Sequence, residues 1–154
     1  MEAKIDETDR QLLILLQQNS NITIKELAQK VSLSPTPVFE RIKRLERDGF
    51  ISKYVAVLNA EKLSQGFIVF CYVRLKQHSK QNGNDFIAAI QRFPQITECY
   101  NISGDYDFML KIYVEDMRQY QDLVLNQLGE IDSIGSLKSI FAMREIMNKH
   151  GIPV

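Results

Sequence analysis

The sequence predicts an α+β chain, an amino-terminal winged helix-turn-helix followed by a ferredoxin-like βαββαβ domain. Three observations carry this expectation. Between Asp6 and Gly49, three apolar patterns recur at helical spacing, each with its own start and stop residues. From Phe67 onward the pattern changes to alternating apolar runs interrupted by two helical stretches. Between these regions "LNAEKLSQG", Leu58 to Gly66, loses periodicity and reads as a connection. The expected boundaries are 1–58 for the first domain, 59–66 for the linker and 67–154 for the second domain.

A chain of 154 residues is long enough for two small domains, and 45% hydrophobic with 25% charged residues describes a globular chain rather than a disordered or disulfide-rich one. The opening "MEAKIDETDR" is acidic and lacks the apolar run of a signal peptide. No stretch approaches the roughly 20 apolar residues that cross a bilayer, so a cytoplasmic protein with no membrane partner is expected. Cys71 and Cys99 both sit in apolar alternating stretches and are expected as buried thiols, not as a disulfide. His78 and His150 have no Cys at ligand spacing and are expected at the surface, with no metal and no cofactor. Formal net charge is zero, so global electrostatics do not point to nucleic acid. Ser32 to Lys53 holds five basic and three acidic residues, a balance of 5 − 3 = +2 that a solvated helix face would also explain.

Helix one is expected to begin at Asp6, where Asp6, Glu7 and Asp9 suit the positive end of a helix dipole, and to stop near Asn19-Ser20-Asn21. Its dense leucines mark it as the central helix of a small bundle. Thr23 with Glu26 is a capping-box spacing that opens helix two, which runs to about Val31, and the small Ala28 allows close helix approach. In helix three Ser34 is the expected N-cap, Pro35 takes the first helical position, Pro37 is tolerated in the same turn, and Gly49 ends the helix. At 100° per residue Val38, Ile42 and Leu45 share one face, while Thr36, Glu40, Lys43, Arg44 and Arg47 share the other with Arg41 at its margin. Two helices joined by a tight turn, the second with a free polar face, form the unit whose second helix enters the major groove of DNA. "FISKYVAVLN" then reads as short β structure, a wing carrying Lys53.

Candidate DNA contacts are Lys25, Ser34, Pro35, Thr36, Val38, Phe39, Glu40, Arg41, Lys43, Arg44 and Arg47. Residues near the start of helix three approach base edges and the cations approach phosphates. Core packing competes for Val38, where helical geometry favours it, and for Phe39, where the sequence leaves the choice open.

The run from Ile5 to Leu63 resembles the amino-terminal half of the Lrp/AsnC family of bacterial and archaeal regulators. The resemblance rests on the opening Asp-x-x-Asp with its leucine-rich helix, "LSPTPV", "RIKRLE", "DGFI" and the tyrosine at Tyr54. "NSNIT" stands at a corner where the family often has a Gly-Arg pair, so a phosphate contact there is in doubt.

In the second domain "GFIVFCYVRLKQ" is strand-like and "GNDFIAAIQRF" is helical, ended by Pro94. "ITECYNIS" and "DFMLKIYVE" form two strands about Gly104-Asp105-Tyr106, "DMRQYQDLVLNQLG" is a helix, and "GSLKSIFAMREIM" is the last strand. That order places both helices on one face of an antiparallel sheet. The other face carries Ile68, Phe70, Tyr72, Met109 and Tyr113, and an apolar second face predicts a homodimer at least, packed sheet against sheet. The family resemblance implies a higher assembly such as an octamer. Paired helices would then read a near-palindromic operator.

"NISGDYDF" reads by composition as a tight turn. By resemblance, "GDYD" is similar to the amino-acid-binding motif of the family's carboxy-terminal RAM domain. The resemblance implies that Asn101, Gly104, Asp105, Tyr106 and Asp107 line an effector pocket, with Met117, Phe141 and Ala142 as further candidates. The leading functional expectation is a sequence-specific DNA-binding transcriptional regulator tuned by a small effector, an amino acid. Two other classes compete: an enzyme using the paired aspartates, against which stands the lack of any accompanying nucleophile, phosphate loop or metal set, and a module whose winged helix binds protein.

Overall fold

The computed structural model describes residues 4–154; residues 1–3, at the start of the expected first domain, lie outside the described residues. The chain divides into two compact units, Met1–Val57 with Met147–Val154, and Leu58–Ile146. The break after Val57 falls beside the expected boundary, but residues 147–154, expected in the second domain, pack with the first unit. There the Gln17 side chain holds the tail: Ile152 N donates to Gln17 Oε1 at 2.8 Å and Gln17 Nε2 donates to Ile152 O at 3.1 Å.

The first unit contains α1 (Glu7–Gln18), α2 (Ile24–Lys30) and α3 (Pro35–Arg47). Both of the first two helices open with a reciprocal capping box, which satisfies backbone donors that the helix itself cannot. In α1 Asp6 Oδ1 accepts from Asp9 N at 2.8 Å and Asp9 Oδ2 accepts from Asp6 N at 3.0 Å. In α2 Thr23 and Glu26 do the same, as their spacing predicts. Ser34 is the N-cap of α3 by backbone conformation but makes no side-chain cap bond. Of the two amides from which a cap oxygen accepts, that at N3 is missing because N3 is Pro37, while Thr36 at N2 keeps its N–H and is not used. Proline stiffness thus replaces the hydroxyl cap. Leu12, Leu27, Ala28, Val38 and Ile42 form the buried core of this unit. At the far end of α3, Gly49 takes φ +81°, and Ile51 N returns to Leu45 O at 3.2 Å.

Residues 51–59, read from the sequence as the short β structure of the wing, pair with no strand of this chain. A strand exists only by its ladder, and within this chain the segment finds none, leaving Tyr54, Val55, Val57 and Leu58 exposed.

The second unit has β1 (Phe67–Leu75), α4 (Lys80–Ile90), β2 (Ile96–Asn101), β3 (Phe108–Val114), α5 (Met117–Asn126) and β4 (Ile134–Phe141). The sheet order is β2-β3-β1-β4 with every neighbour antiparallel, the ferredoxin-like arrangement that the element order predicts. Val69, Cys71, Val73 and Leu75 of β1 and Phe108, Leu110, Ile112 and Val114 of β3 pack with Phe86, Ile90, Tyr120 and Leu123 of the two helices. Alternation fixes this face, because a slip of one residue would turn the whole set over. The opposite face holds half-buried Ile68, Phe70, Tyr72, Met109 and Tyr113, with Lys111 among them. Cys71 is buried as expected; Cys99 is exposed, because β2 is an edge strand.

Two predictions follow from these local devices. At Gly49 no atom stands within 4 Å of an added Cβ, so Gly49→Ala meets only the left-handed backbone cost, about 1 kcal/mol, in a thermal melt. The cap carboxyls of Asp6 and Glu26 sit below their ordinary values of 3.8 and 4.5, held there first by the backbone amides they accept from. A lowered folded pKa means that the unfolded chain takes up protons first as pH falls. This stability is therefore complete above about pH 5 and is lost as the pH drops through and below the ordinary carboxyl values. Thr23→Ala should lower the melting temperature at neutral pH and shrink the acid-induced loss measured by circular dichroism.

Candidate functional site

Helix α3 presents its polar face as its period requires. Val38, Ile42 and Leu45 are buried, and Ser34, Pro35, Thr36, Phe39, Glu40, Lys43 and Arg47 are exposed, as is Lys25 on α2. Val38 is 0% exposed, so the expectation that it contacts DNA is corrected in favour of packing. Phe39 resolves the other way, 48% exposed with Lys43 Nζ 5.7 Å from its ring centroid. It walls a cavity of about 210 Å³ with Leu16, Ile22, Leu27, Ile42 and Tyr54. Tyr54 donates its hydroxyl to Glu46 Oε1 at 3.0 Å, and burial, aided by that carboxylate, pushes its pKa up to about 12.

The cations divide into two kinds. Lys43 pairs with Glu46 at 2.7 Å and Arg47 with Asp48 at 3.1 Å, both among exposed side chains near in sequence. Arg41 and Arg44, expected at phosphates, are in this structure paired with the acids at the start of α1. Arg41 Nη1 donates to Asp6 Oδ2 at 2.7 Å and to Asp9 Oδ1 at 2.8 Å, and Arg44 Nη2 donates to Asp9 Oδ2 at 2.5 Å. Asp9 is 0% exposed and is thus a buried carboxylate with two cationic donors and the Asp6 backbone amide. The hydrogen bond from Arg41 to Asp9, then that to Asp6, raises the arginine's pKa further. The acidic pair at Asp6 and Asp9 is plain in the sequence; its partners, 32 to 35 residues away, are not.

In the second unit the loop between β2 and β3 is organised by Asp107. Its amide donates to Val73 O at 2.9 Å, and its carbonyl accepts from Ile102 N at 2.9 Å and from Asn101 Nδ2 at 2.8 Å. Oδ2 accepts from Leu75 N at 2.7 Å, where the β1–β4 register shifts. Oδ1 lies 2.7 Å from His78 Nδ1, a partner that the sequence reading places only at the surface. Gly104 takes φ +114° at the tip. Tyr106 lies between two cations, with the Arg74 guanidinium 5.3 Å and Lys138 Nζ 6.0 Å from its ring centroid. Arg74 also donates to Asp105 O at 2.7 Å. Asn101, Gly104, Asp105, Tyr106 and Asp107 are therefore together.

Met117, Phe141 and Ala142, the further candidates, are not with them within this chain. Phe108, beside the loop, pairs with Val73, whereas Phe141 pairs with Val69 and Ala142 N donates to Ile68 O. Met117 follows the other end of β3. At about 3.4 Å per residue, the two groups lie toward opposite ends of the sheet.

Comparison with known proteins agrees with both halves of this description. Residues 5–52 match a winged helix-turn-helix DNA-binding family and residues 68–152 match the Lrp/AsnC ligand binding domain. The chain is 35% identical over 150 residues to the leucine-responsive regulatory protein of Salmonella typhimurium, covering 97% of this chain and 92% of that one. It is 31% identical over 150 residues to the DNA-binding transcriptional activator DecR of Escherichia coli, covering 97% and 99%. Among solved structures, a Neisseria meningitidis transcriptional regulator in complex with L-Met superposes with a TM-score of 0.93 at 31% identity, covering 97% of each chain. An AsnC family regulator from Agrobacterium tumefaciens gives 0.92 at 34% identity, again over 97% of each chain. The chain belongs to the Lrp/AsnC family of DNA-binding transcriptional regulators, with the winged helix-turn-helix first and the family's ligand-binding domain after it.

Proposed function

We propose that this chain is a sequence-specific regulator, working in the cytoplasm as a homodimer or a higher assembly such as an octamer, whose DNA binding and assembly respond to an amino acid. The observation that carries the reading is the two-sided α3, with Val38, Ile42 and Leu45 inward and Ser34, Pro35, Thr36, Glu40, Lys43 and Arg47 outward. The first turn and Phe39 meet base edges of a near-palindromic operator, and Lys25, Lys43 and Arg47 meet phosphates. The half-apolar sheet face supports pairing, since a face of this kind needs cover.

The effector site is the loop of Asn101, Gly104, Asp105, Tyr106 and Asp107. An amino acid suits it, because Arg74 and Lys138 flank Tyr106 while Asp107 offers a carboxylate. The L-Met bound by the Neisseria meningitidis relative supports an amino acid of some kind. No reaction is assigned to the chain: both carboxylate oxygens of Asp107 are engaged, by Leu75 N and His78, which argues against a free general base.

Titrating salt against binding to the chain's own promoter DNA tests the DNA reading. A steep linear fall of log affinity with log salt is expected, and salt-independent binding would refute it. Calorimetry with the common amino acids tests the pocket. Asp107→Asn keeps an acceptor for the Leu75 amide while losing the charge, so amino-acid affinity should fall about tenfold, within the range for a lost charged hydrogen bond, with DNA affinity of the ligand-free protein unchanged.

A further inference from the structure

We infer that Asp9 is a positioning residue for the DNA-reading helix: with Asp6 it clasps Arg41 and Arg44 inward, fixing the rotation of α3 and leaving the phosphates to cations such as Lys43 and Arg47. The stoichiometry is closed, two carboxylates to two guanidinium groups, so an approaching phosphate meets a neutral cluster there. Asp9 divides its oxygens, Oδ1 toward Arg41 and Oδ2 toward Arg44. Those arginines stand three residues apart on α3, almost one turn, so the attachment has two points along the helix. Two-point attachment resists both sliding and rolling.

Apolar contact alone does neither well. Val38, Ile42 and Leu45 bury a stripe, but hydrophobic burial is non-directional, whereas a hydrogen bond weakens steeply as its angle closes. A small roll of α3 would move Thr36, Phe39 and Glu40 together relative to the base edges they address. Asp9 is also the capping-box partner of Asp6, so the clasp is anchored at the first turn of α1.

Exchange chemistry separates the two kinds of cation. The side chains of Lys43 and Arg47 are 56% and 73% exposed, and each can leave its carboxylate for a phosphate because Glu46 and Asp48 are then met by water or remaining partners. Withdrawing Arg44 would strip a donor from a carboxylate side chain that is 1% exposed, where water does not replace it. The clasp arginines therefore stay when DNA arrives.

The test uses the full-length protein and two duplexes, one selected by the wild-type protein from a random-sequence pool and one scrambled. Lys43→Gln and Arg47→Gln should each flatten the slope of log affinity against log salt by about 0.9 per protomer in contact with the duplex, on both duplexes. Arg41→Gln and Arg44→Gln should leave that slope at the wild-type value while reducing preference for the selected duplex on the order of tenfold. Asp9→Asn should likewise reduce preference for the selected duplex, but with a slope no flatter than wild type because it releases a cation rather than removing one, and Arg44→Lys, which keeps charge and bulk, supplies a foldable variant with a smaller loss of preference and the same slope. A loss of about 0.9 in slope per bound protomer on removing Arg41 or Arg44 would make them phosphate contacts and overturn the inference. An unchanged slope with unchanged preference would equally overturn it, reducing the cluster to a folding contact.

Discussion

The buried carboxylate of Asp9 is the constraint on which the arrangement of the first unit depends. Asp9 is 0% exposed and would be costly there without the guanidinium groups of Arg41 and Arg44. Removing one partner from a buried pair typically costs about 3–5 kcal/mol, because the remaining charge is stranded, whereas exposed pairs contribute about 0–1 kcal/mol. That difference sorts the four cations of α3 by what they are free to do. Charge counting along the sequence treats all four as equals; burial of one acid divides them. The helix-turn-helix is thus held by a directional polar contact laid over a small apolar core, and the polar contact is the part that specifies an angle.

A parallel device organises the second unit. Asp107 accepts the Leu75 amide at the point where the β1–β4 register shifts, so its side chain substitutes for a ladder partner. Gly135 lies opposite, where a Cβ would stand 3.1 Å from Leu75 O and Lys76 N, and the absence of a side chain permits that approach. The loop from Ile102 to Asp107 is therefore tied to the strand end by its own backbone and by one carboxylate. His78, with its side chain 79% exposed, is the replaceable partner of that carboxylate, whereas the Leu75 amide is fixed within the sheet. A ligand ammonium arriving at Asp107 would displace the histidine and leave the scaffold intact.

How much of this was legible follows from the range over which each contact acts. The Thr23–Glu26 box, the inward face Val38, Ile42 and Leu45, and the alternation of β1 and β3 are periodic or local, and the sequence displays them directly. Ser34 is legible in position only, since it caps α3 by backbone conformation without a side-chain bond. The Asp9 contacts span 32 and 35 residues, and the pairing of Asp107 with His78 crosses from one loop to another, so no local pattern carries them. Cys99 looked buried because alternation gives a face but does not say that β2 is an edge. Met117, Phe141 and Ala142 were grouped with the loop by resemblance, and only the strand register separates them from it.

Two features of the single chain are incomplete in the same sense, each considered within its own unit. Residues 51–59 carry the apolar run Tyr54 to Leu58 with no ladder, and the outer sheet face keeps Ile68, Phe70, Tyr72, Met109 and Tyr113 only half-buried. Exposed strand-like backbone and an uncovered apolar face are both liabilities for an isolated protein. Lys111 sharpens the second case, because it sits 8% exposed in that face, with Glu98 at 3.4 Å and Glu145 at 3.9 Å as its counter-charges. Burial opposes its charge, yet hydrogen bonding to Tyr113 and the field of Glu98 hold its pKa above the ordinary lysine value. A charged group inside an otherwise apolar face contributes little to affinity but penalises every register that lays it against apolar side chains. Under the proposed pairing, a second copy supplies the missing cover, and Lys111 favours one way of laying the faces together over the many that area alone would allow.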